Sequence, residues 1–229
     1  MPSIAIIGAD GAGKTTVTRM LLEENFLPFR YLYMGVNVGS SNVALPTSRL
    51  AQWIKGLLGE KGDNPRNSTS LSTSGASRRL GSKSKFRNAL RLANRVAEEL
   101  YRLVLSRWYE LRGLVPLYDR HFTFDFFGLE ELSGYDRLSD RIHAWFLKRI
   151  YPRPNLVIFL DAPPEVLMAR KGEGTFEYLE SRRRAYLRLG ETMPDFIRVD
   201  ATQPLARVYE EVSDHIRRYS NGRTKKSRR

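Results

Sequence analysis

The sequence predicts a three-layer α/β/α fold around a parallel sheet, and three observations carry that prediction. Short apolar runs alternate with helix-period segments along the chain. One run, NLVIFLD at residues 155–161, is apolar almost throughout, as a strand covered on both faces must be. The first run passes through a glycine-rich loop straight into a helical segment. Strand and helix alternating in this way call for a parallel sheet wrapped by helices on both faces.

The first strand is read at Ile4–Ile7, the loop at residues 8–14 and the first helix at residues 15–25, with Val17, Met20 and Leu21 on one face. A second strand is read at residues 29–34. Residues 59–85, GEKGDNPRNSTSLSTSGASRRLGSKSK, hold almost no large apolar side chain and read as a mobile insertion. A loop that long inside a domain is usually functional or disordered. Helical order resumes at Phe86: Leu90, Ala93, Ala97, Leu100, Val104, Trp108 and Leu111 recur every three or four residues, as the core stripe of one long helix ending at Gly113. Residues 115–118 form the next strand and deliver Asp119 and Arg120 at its C-terminal end. A helix is expected over 137–150, the buried strand over 155–161, a basic helix after it, a short strand over 196–199 and a last helix over about 204–218. No internal repeat is visible.

With 229 residues, 41% of them hydrophobic, the chain can build one sizeable core, read as a single domain over residues 1–218. It has no cysteine, which excludes disulfides, thiolate metal sites and cysteine nucleophiles. Its three histidines, His121, His143 and His215, are scattered without metal-ligand spacing. The formal charge of +13 is local: residues 216–229 hold seven Lys or Arg and no acid, residues 78–107 nine and two acids, and the remainder is near neutral. Residues 219–229 therefore read as a basic, disordered, solubilising tail. Such a tail also allows weak contact with an anionic lipid or RNA surface, although nucleic acid is not the expected partner. The N-terminal apolar run is too short for a signal peptide or a span, and no other segment approaches the ~20 apolar residues a membrane helix needs. The expected location is cytoplasmic.

Gly8-Ala9-Asp10-Gly11-Ala12-Gly13-Lys14-Thr15 matches the phosphate-binding loop G-x-x-x-x-G-K-[ST] in full, between a strand and a helix as that motif requires. Gly8, Gly11 and Gly13, with Ala12, let backbone N–H groups converge on phosphates at a helix N-terminus. Lys14 reaches the β and γ oxygens of ATP, the Thr15 hydroxyl binds Mg²⁺, and Thr16 continues the cradle. Asp10 is unexpected, because a carboxylate in such a loop is repelled by the phosphates; it should face an acceptor hydroxyl. Asp119 at a strand end suits Mg²⁺ or the acceptor's proton, and Arg120 can bind an acceptor phosphate as a fork.

These residues resemble thymidylate kinases. The loop G-x-D-G-A-G-K-T-T is similar to theirs, and further motifs follow in the same order: LANR at 92–95, like the acceptor-binding helix; YDRHF at 118–122, like the Asp-Arg-Tyr motif; FLDAPPEVLMAR at 159–170, like the strand and turn into the lid; and RVDATQPLARVYEEV at 198–212, like the last strand and helix. Only the insertion falls outside the likeness. The resemblance implies a P-loop NTPase fold with a short basic lid over about 170–184, and phosphoryl transfer from ATP with Mg²⁺ to a nucleoside monophosphate such as dTMP. It implies catalytic roles for Lys14, Asp119, Arg120 and Arg170, and an acceptor site built from Asp10, Arg91, Arg95, Asp119 and Arg120. Arg170, Lys171, Arg182, Arg183 and Arg184 surround the lid stretch GEGTFEYLES, and cations closing over phosphates stabilise transferred charge and exclude water. Arg170 and one of Arg182 to Arg184 are the expected site cations, with Glu177 and Glu180 pairing to the others. The family's helix-packed dimers allow a homodimer.

The departures cluster on the acceptor side. YMGVNVGSS stands where the family has Arg-Glu-Pro-Gly, Arg91 replaces the aromatic that stacks on thymine, His121 replaces the tyrosine after Asp-Arg, and Phe124 and Asp125 replace small residues. Arg91 and Arg95 lie one turn apart, opposite the apolar stripe, and together they imply an anionic acceptor. A sugar or phosphorylated metabolite is thus the alternative acceptor, and a nucleotide-binding switch or RNA-end-binding protein the second alternative.

Overall fold

The computed structural model describes residues 2–35, 82–124, 141–142, 145–146, 149, 152–172 and 174–227. Five strands, β1 (Ile4–Ile7), β2 (Phe29–Tyr33), β3 (Val115–Asp119), β4 (Leu156–Asp161) and β5 (Phe196–Asp200), form one sheet in the order β2-β3-β1-β4-β5. Every pairing is parallel. Among the described residues the sheet is joined by the helices α1 (Lys14–Glu24), α2 (Ser82–Leu111), α3 (Pro164–Lys171), α4 (Phe176–Glu191) and α5 (Leu205–Ser227).

Strand alternation explains the layers. Ile4 and Ile6 of β1 pack with Val17 and Leu21 of α1 and with Val208, Val212 and Ile216 of α5. Ala5 and Ile7, pointing the other way, pack with Phe122, Phe124 and Tyr186 of α4, and Val96 and Leu103 of α2 lie against this second cluster. All six residues of β4 are buried, as an apolar run at the centre of a parallel sheet should be. Full burial of each such Leu, Val or Ile stabilises by ~1.5–3 kcal/mol, so truncating Ile6 to Ala would cost roughly 2–5 kcal/mol.

Helix ends follow local chemistry. Asn25 caps α1 in the left-handed region, its N–H bonding the Leu21 carbonyl, and Thr175 caps α4 by accepting from the Tyr178 N–H at 3.3 Å. The basic segment expected after β4 is thus two helices, broken at Gly172.

Three expectations need correction. Helix α2 begins at Ser82, so residues 82–85 are helical rather than part of the insertion; residues 59–81, and with them the rest of that reading, lie outside the described residues. Helix α5 runs on to Ser227, through most of the stretch expected to be a disordered tail. Its Lys and Arg are good helix formers and suit the negative end of the helix dipole. The third concerns the orientation of α2. Ala93, Ala97, Leu100, Val104, Trp108 and Leu111, the stripe expected to face the core, are all exposed. The buried face carries Glu98, Glu99, Arg102 and Ser106 instead. Of the helix expected over 137–150, residues 141, 142, 145, 146 and 149 are described and helical; His143 is outside the described residues. Among the described residues no helix is long and apolar enough to cross a membrane.

Candidate active site

Parallel register brings the loop and the acidic strand end together. Ile6 and Tyr33 are both paired with Asp119, so β1, β2 and β3 finish at the same level and the loop after β1 opens beside Asp119. Two glycines make the loop's path. Gly8 has φ 152°, and a Cβ there would sit 2.7 Å from the Leu160 carbonyl oxygen; Gly13 holds φ 88° as it starts α1. Ala12 N–H closes the loop on the Ala9 carbonyl at 3.2 Å.

Lys14 is buried, its Nζ donating to the Ala9 carbonyl at 2.7 Å and lying 3.9 Å from Asp10 Oδ1. Asp10 also receives Nη2 of Arg120. Arg120 follows β3 in the left-handed region at φ 71°, costly for a residue with a Cβ, and its N–H bonds the Ile6 carbonyl at 3.1 Å. Such strain concentrates where the surrounding structure enforces it, commonly at functional sites. Thr15 and Thr16 lie exposed on the first turn of α1.

Asp119 is buried, and its two carboxylate oxygens differ. Oδ2 accepts from the Thr15 hydroxyl at 2.9 Å and from the Tyr31 hydroxyl at 3.2 Å, while Oδ1 is buried with no hydrogen-bond partner among the described residues. A buried carboxylate oxygen without a donor beside an exposed threonine hydroxyl fits a hard divalent cation. Among the described residues no group of three or more His, Asp or Glu could hold a metal alone, so such an ion would need a ligand's oxygens or water as well. Burial, and then the Asp119 carboxylate, push the Tyr31 phenol well above its ordinary range, keeping it a donor.

The other residues expected to bind an acceptor lie on α2. Arg95 is half-buried, its Nε 3.5 Å from Oε1 of fully buried Glu99. Arg91 lies on the same helix, and its side chain is outside the described residues. Two turns beyond Arg95, Arg102 is almost wholly buried. It donates from Nη1 to the Gly35 carbonyl at 3.0 Å, approaches Glu98 at 3.8 Å and packs on the Phe122 ring at 5.1 Å. The sequence reading did not single out Tyr31, Glu98, Glu99 or Arg102. The apolar stripe pointed the wrong way for the last three, and no motif marks Tyr31.

The cations expected in a lid are distributed among different contacts. Arg170 donates to the Ala201 carbonyl at 2.8 Å, tying α3 to the turn after β5, and Lys171 is exposed. Buried Arg182 bonds the hydroxyls of Tyr178, at 3.0 Å, and Tyr186. Arg183 grips Asp161 from Nε at 2.6 Å and Nη2 at 3.0 Å, and Arg198 of β5 reaches the same carboxylate at 2.7 Å. Exposed Arg184 pairs with Glu180 at 2.9 Å, while Arg183 lies 3.7 Å from the same glutamate; Glu180 thus serves both arginines. In this conformation these four arginines contact the protein's own groups.

No protein-family model matches the chain. Two solved structures of deoxyadenosine kinase from M. mycoides are similar to it: one with the products dCMP and a flexible dCDP bound, TM-score 0.53, the other with bound dATP, TM-score 0.55. Each is 16% identical and matches 94% of this chain, against 98% and 99% of its own length respectively. The likeness shows the fold alone, a parallel α/β fold shared with these two structures.

Proposed function

We propose that this protein transfers the γ-phosphoryl group of ATP, with Mg²⁺, to a nucleoside monophosphate such as dTMP. The observation that carries the reading is the junction of Thr15 and Asp119 at 2.9 Å, with a complete phosphate-binding loop on one side and Arg120 on the other. Backbone N–H groups of residues 11–15 and the start of α1 would cradle the phosphates, and Lys14 would leave the Ala9 carbonyl for their oxygens. The divalent ion, held by Thr15 and Asp119, would neutralise charge on the transferring group. Asp10 and Arg120 would hold the acceptor, Arg95 its far end. Arg170 and the lid arginines would add positive charge on closing. Catalysis is then positioning and charge stabilisation.

A second reading has its own observation. Arg120, whose fork would take an acceptor phosphate, is paired with Asp10, which leaves room for an unphosphorylated deoxynucleoside or another small acceptor such as a sugar. The similarity to the two deoxyadenosine kinase structures favours the same direction. Measuring ATP turnover against deoxynucleosides, their monophosphates and phosphorylated sugars separates these cases: transfer to monophosphates alone supports the first reading, and transfer to deoxynucleosides alone replaces it. ATP binding without transfer to any of them would leave a nucleotide-binding switch. The exposed stripe Leu100, Val104, Trp108 and Leu111 on α2 supports a helix-packed homodimer, which sedimentation would test.

A further inference from the structure

We infer that Tyr31 is a positioning residue for the cation site, its hydroxyl holding the Asp119 carboxylate in the orientation that leaves Oδ1 without a donor among the described residues. This rests on the phosphotransferase reading above and concerns a residue that no motif in the sequence marks.

The geometry is specific. Tyr33 is in register with Asp119, so Tyr31 lies two residues earlier on β2 and on the same face of the sheet. From there the phenol is long enough to reach past the intervening residue, and its hydroxyl meets Asp119 Oδ2 at 3.2 Å. Thr15 meets the same oxygen at 2.9 Å from α1. One carboxylate oxygen thus receives two hydroxyl donors from two different elements, and the other, buried, receives none from the described residues. Two donors converging on Oδ2 from different directions restrict rotation of the carboxylate about its own bond. Without Tyr31, Thr15 alone would hold it, and the two oxygens could exchange places more freely.

Tyr31 and Thr15 have different duties. Thr15 is itself a proposed cation ligand, whereas the Tyr31 hydroxyl acts only through Asp119. Hydrogen bonds of this kind, one step removed from the metal, fix the orientation of a ligand, and their loss typically weakens metal binding by ~10–100-fold.

The test is Tyr31→Phe, which removes one oxygen and keeps the ring. Mn²⁺ affinity in the ADP complex is measured by electron paramagnetic resonance, and metal-free ADP affinity by equilibrium dialysis with chelator present. The expected result is Mn²⁺ binding weaker by about 10-fold or more with metal-free ADP binding unchanged. Partial unfolding would lower the amount of competent protein in both measurements and leave the two affinities as they were, so a fold defect cannot imitate the result. Unchanged Mn²⁺ affinity in a variant that binds ADP overturns this inference alone. A wild-type protein that binds neither ADP nor Mn²⁺ overturns the phosphotransferase reading, and this inference with it.

Discussion

Asp161→Asn should loosen the packing of α4 against β4 and β5, by an amount the structure bounds. Asp161 ends β4, its side chain only 3% exposed, and three charge-assisted bonds converge on it: Arg183 Nε at 2.6 Å, Arg183 Nη2 at 3.0 Å and Arg198 Nε at 2.7 Å. Arg183 belongs to α4 and Arg198 to β5, so one carboxylate at the end of β4 ties α4 and β5 to it. Asparagine keeps one acceptor, loses the charge and turns an amide donor toward a guanidinium. Hydrogen bonds to charged groups are worth ~1.5–3 kcal/mol each. The Arg198 side chain is 57% exposed and can rehydrate, so its bond counts for ~0–1 kcal/mol. Arg183, 24% exposed, carries most of the loss, and about 2–3 kcal/mol in all is expected. For a chain of this size that is a fall in Tm of roughly 4–12 °C. Urea unfolding monitored by circular dichroism measures it, with Arg183→Met and the double variant completing a cycle. Because the two single changes share the Arg183–Asp161 bonds, the double variant should cost less than the sum of the two. A loss below ~0.5 kcal/mol in Asp161→Asn, or full additivity in the cycle, would refute the clasp.

Other outcomes follow from the same geometry. Gly8→Ala puts a Cβ against the Leu160 carbonyl at 2.7 Å and should abolish nucleotide binding, which calorimetric titration with ATP would show. Lys14→Ala should lower phosphoryl transfer by roughly 10²–10³ while circular dichroism stays unchanged; full activity would sink the phosphotransferase reading. Arg102→Met takes a buried guanidinium away from the Gly35 carbonyl and from Glu98, and should cost more in urea unfolding than the ~0–1 kcal/mol of a surface pair. Burial raises the phenols of Tyr31 and Tyr118. Folding therefore favours their protonated form: this contribution is whole below the ordinary tyrosine value of ~10 and is lost as pH climbs from there toward the folded values. Alkaline titration of phenolate absorbance should show at least two tyrosines ionising later in the folded protein than in urea.

What the sequence by itself determined is what contiguous residues decide. The phosphate-binding loop is legible because eight neighbours set its whole geometry: Gly8 and Gly13 permit the backbone turns, and the helix starts where the motif says. The strands β1, β3 and β4 and the alternation that makes the sheet parallel are legible for the same reason, since a run of Ile, Val and Leu bounded by turns can hardly do anything else. Asp119 and Arg120 could be singled out because YDRHF resembles a known motif at a strand end, and the structure brings both side chains to the loop. Only the tertiary structure decided the rest. Periodicity says which residues of α2 share a face but not which face meets the sheet, and here the polar face won: Arg102 has the Gly35 carbonyl and Glu98 to satisfy it once buried, so Leu100, Val104 and Trp108 were turned outward. The clasp at Asp161 joins residues 22 and 37 positions away, and the Tyr31 bond one 88 away, distances over which no local pattern carries information. Those contacts exist because parallel strands bring their C-terminal ends to one edge of the sheet, and what meets at that edge is set by register and crossover.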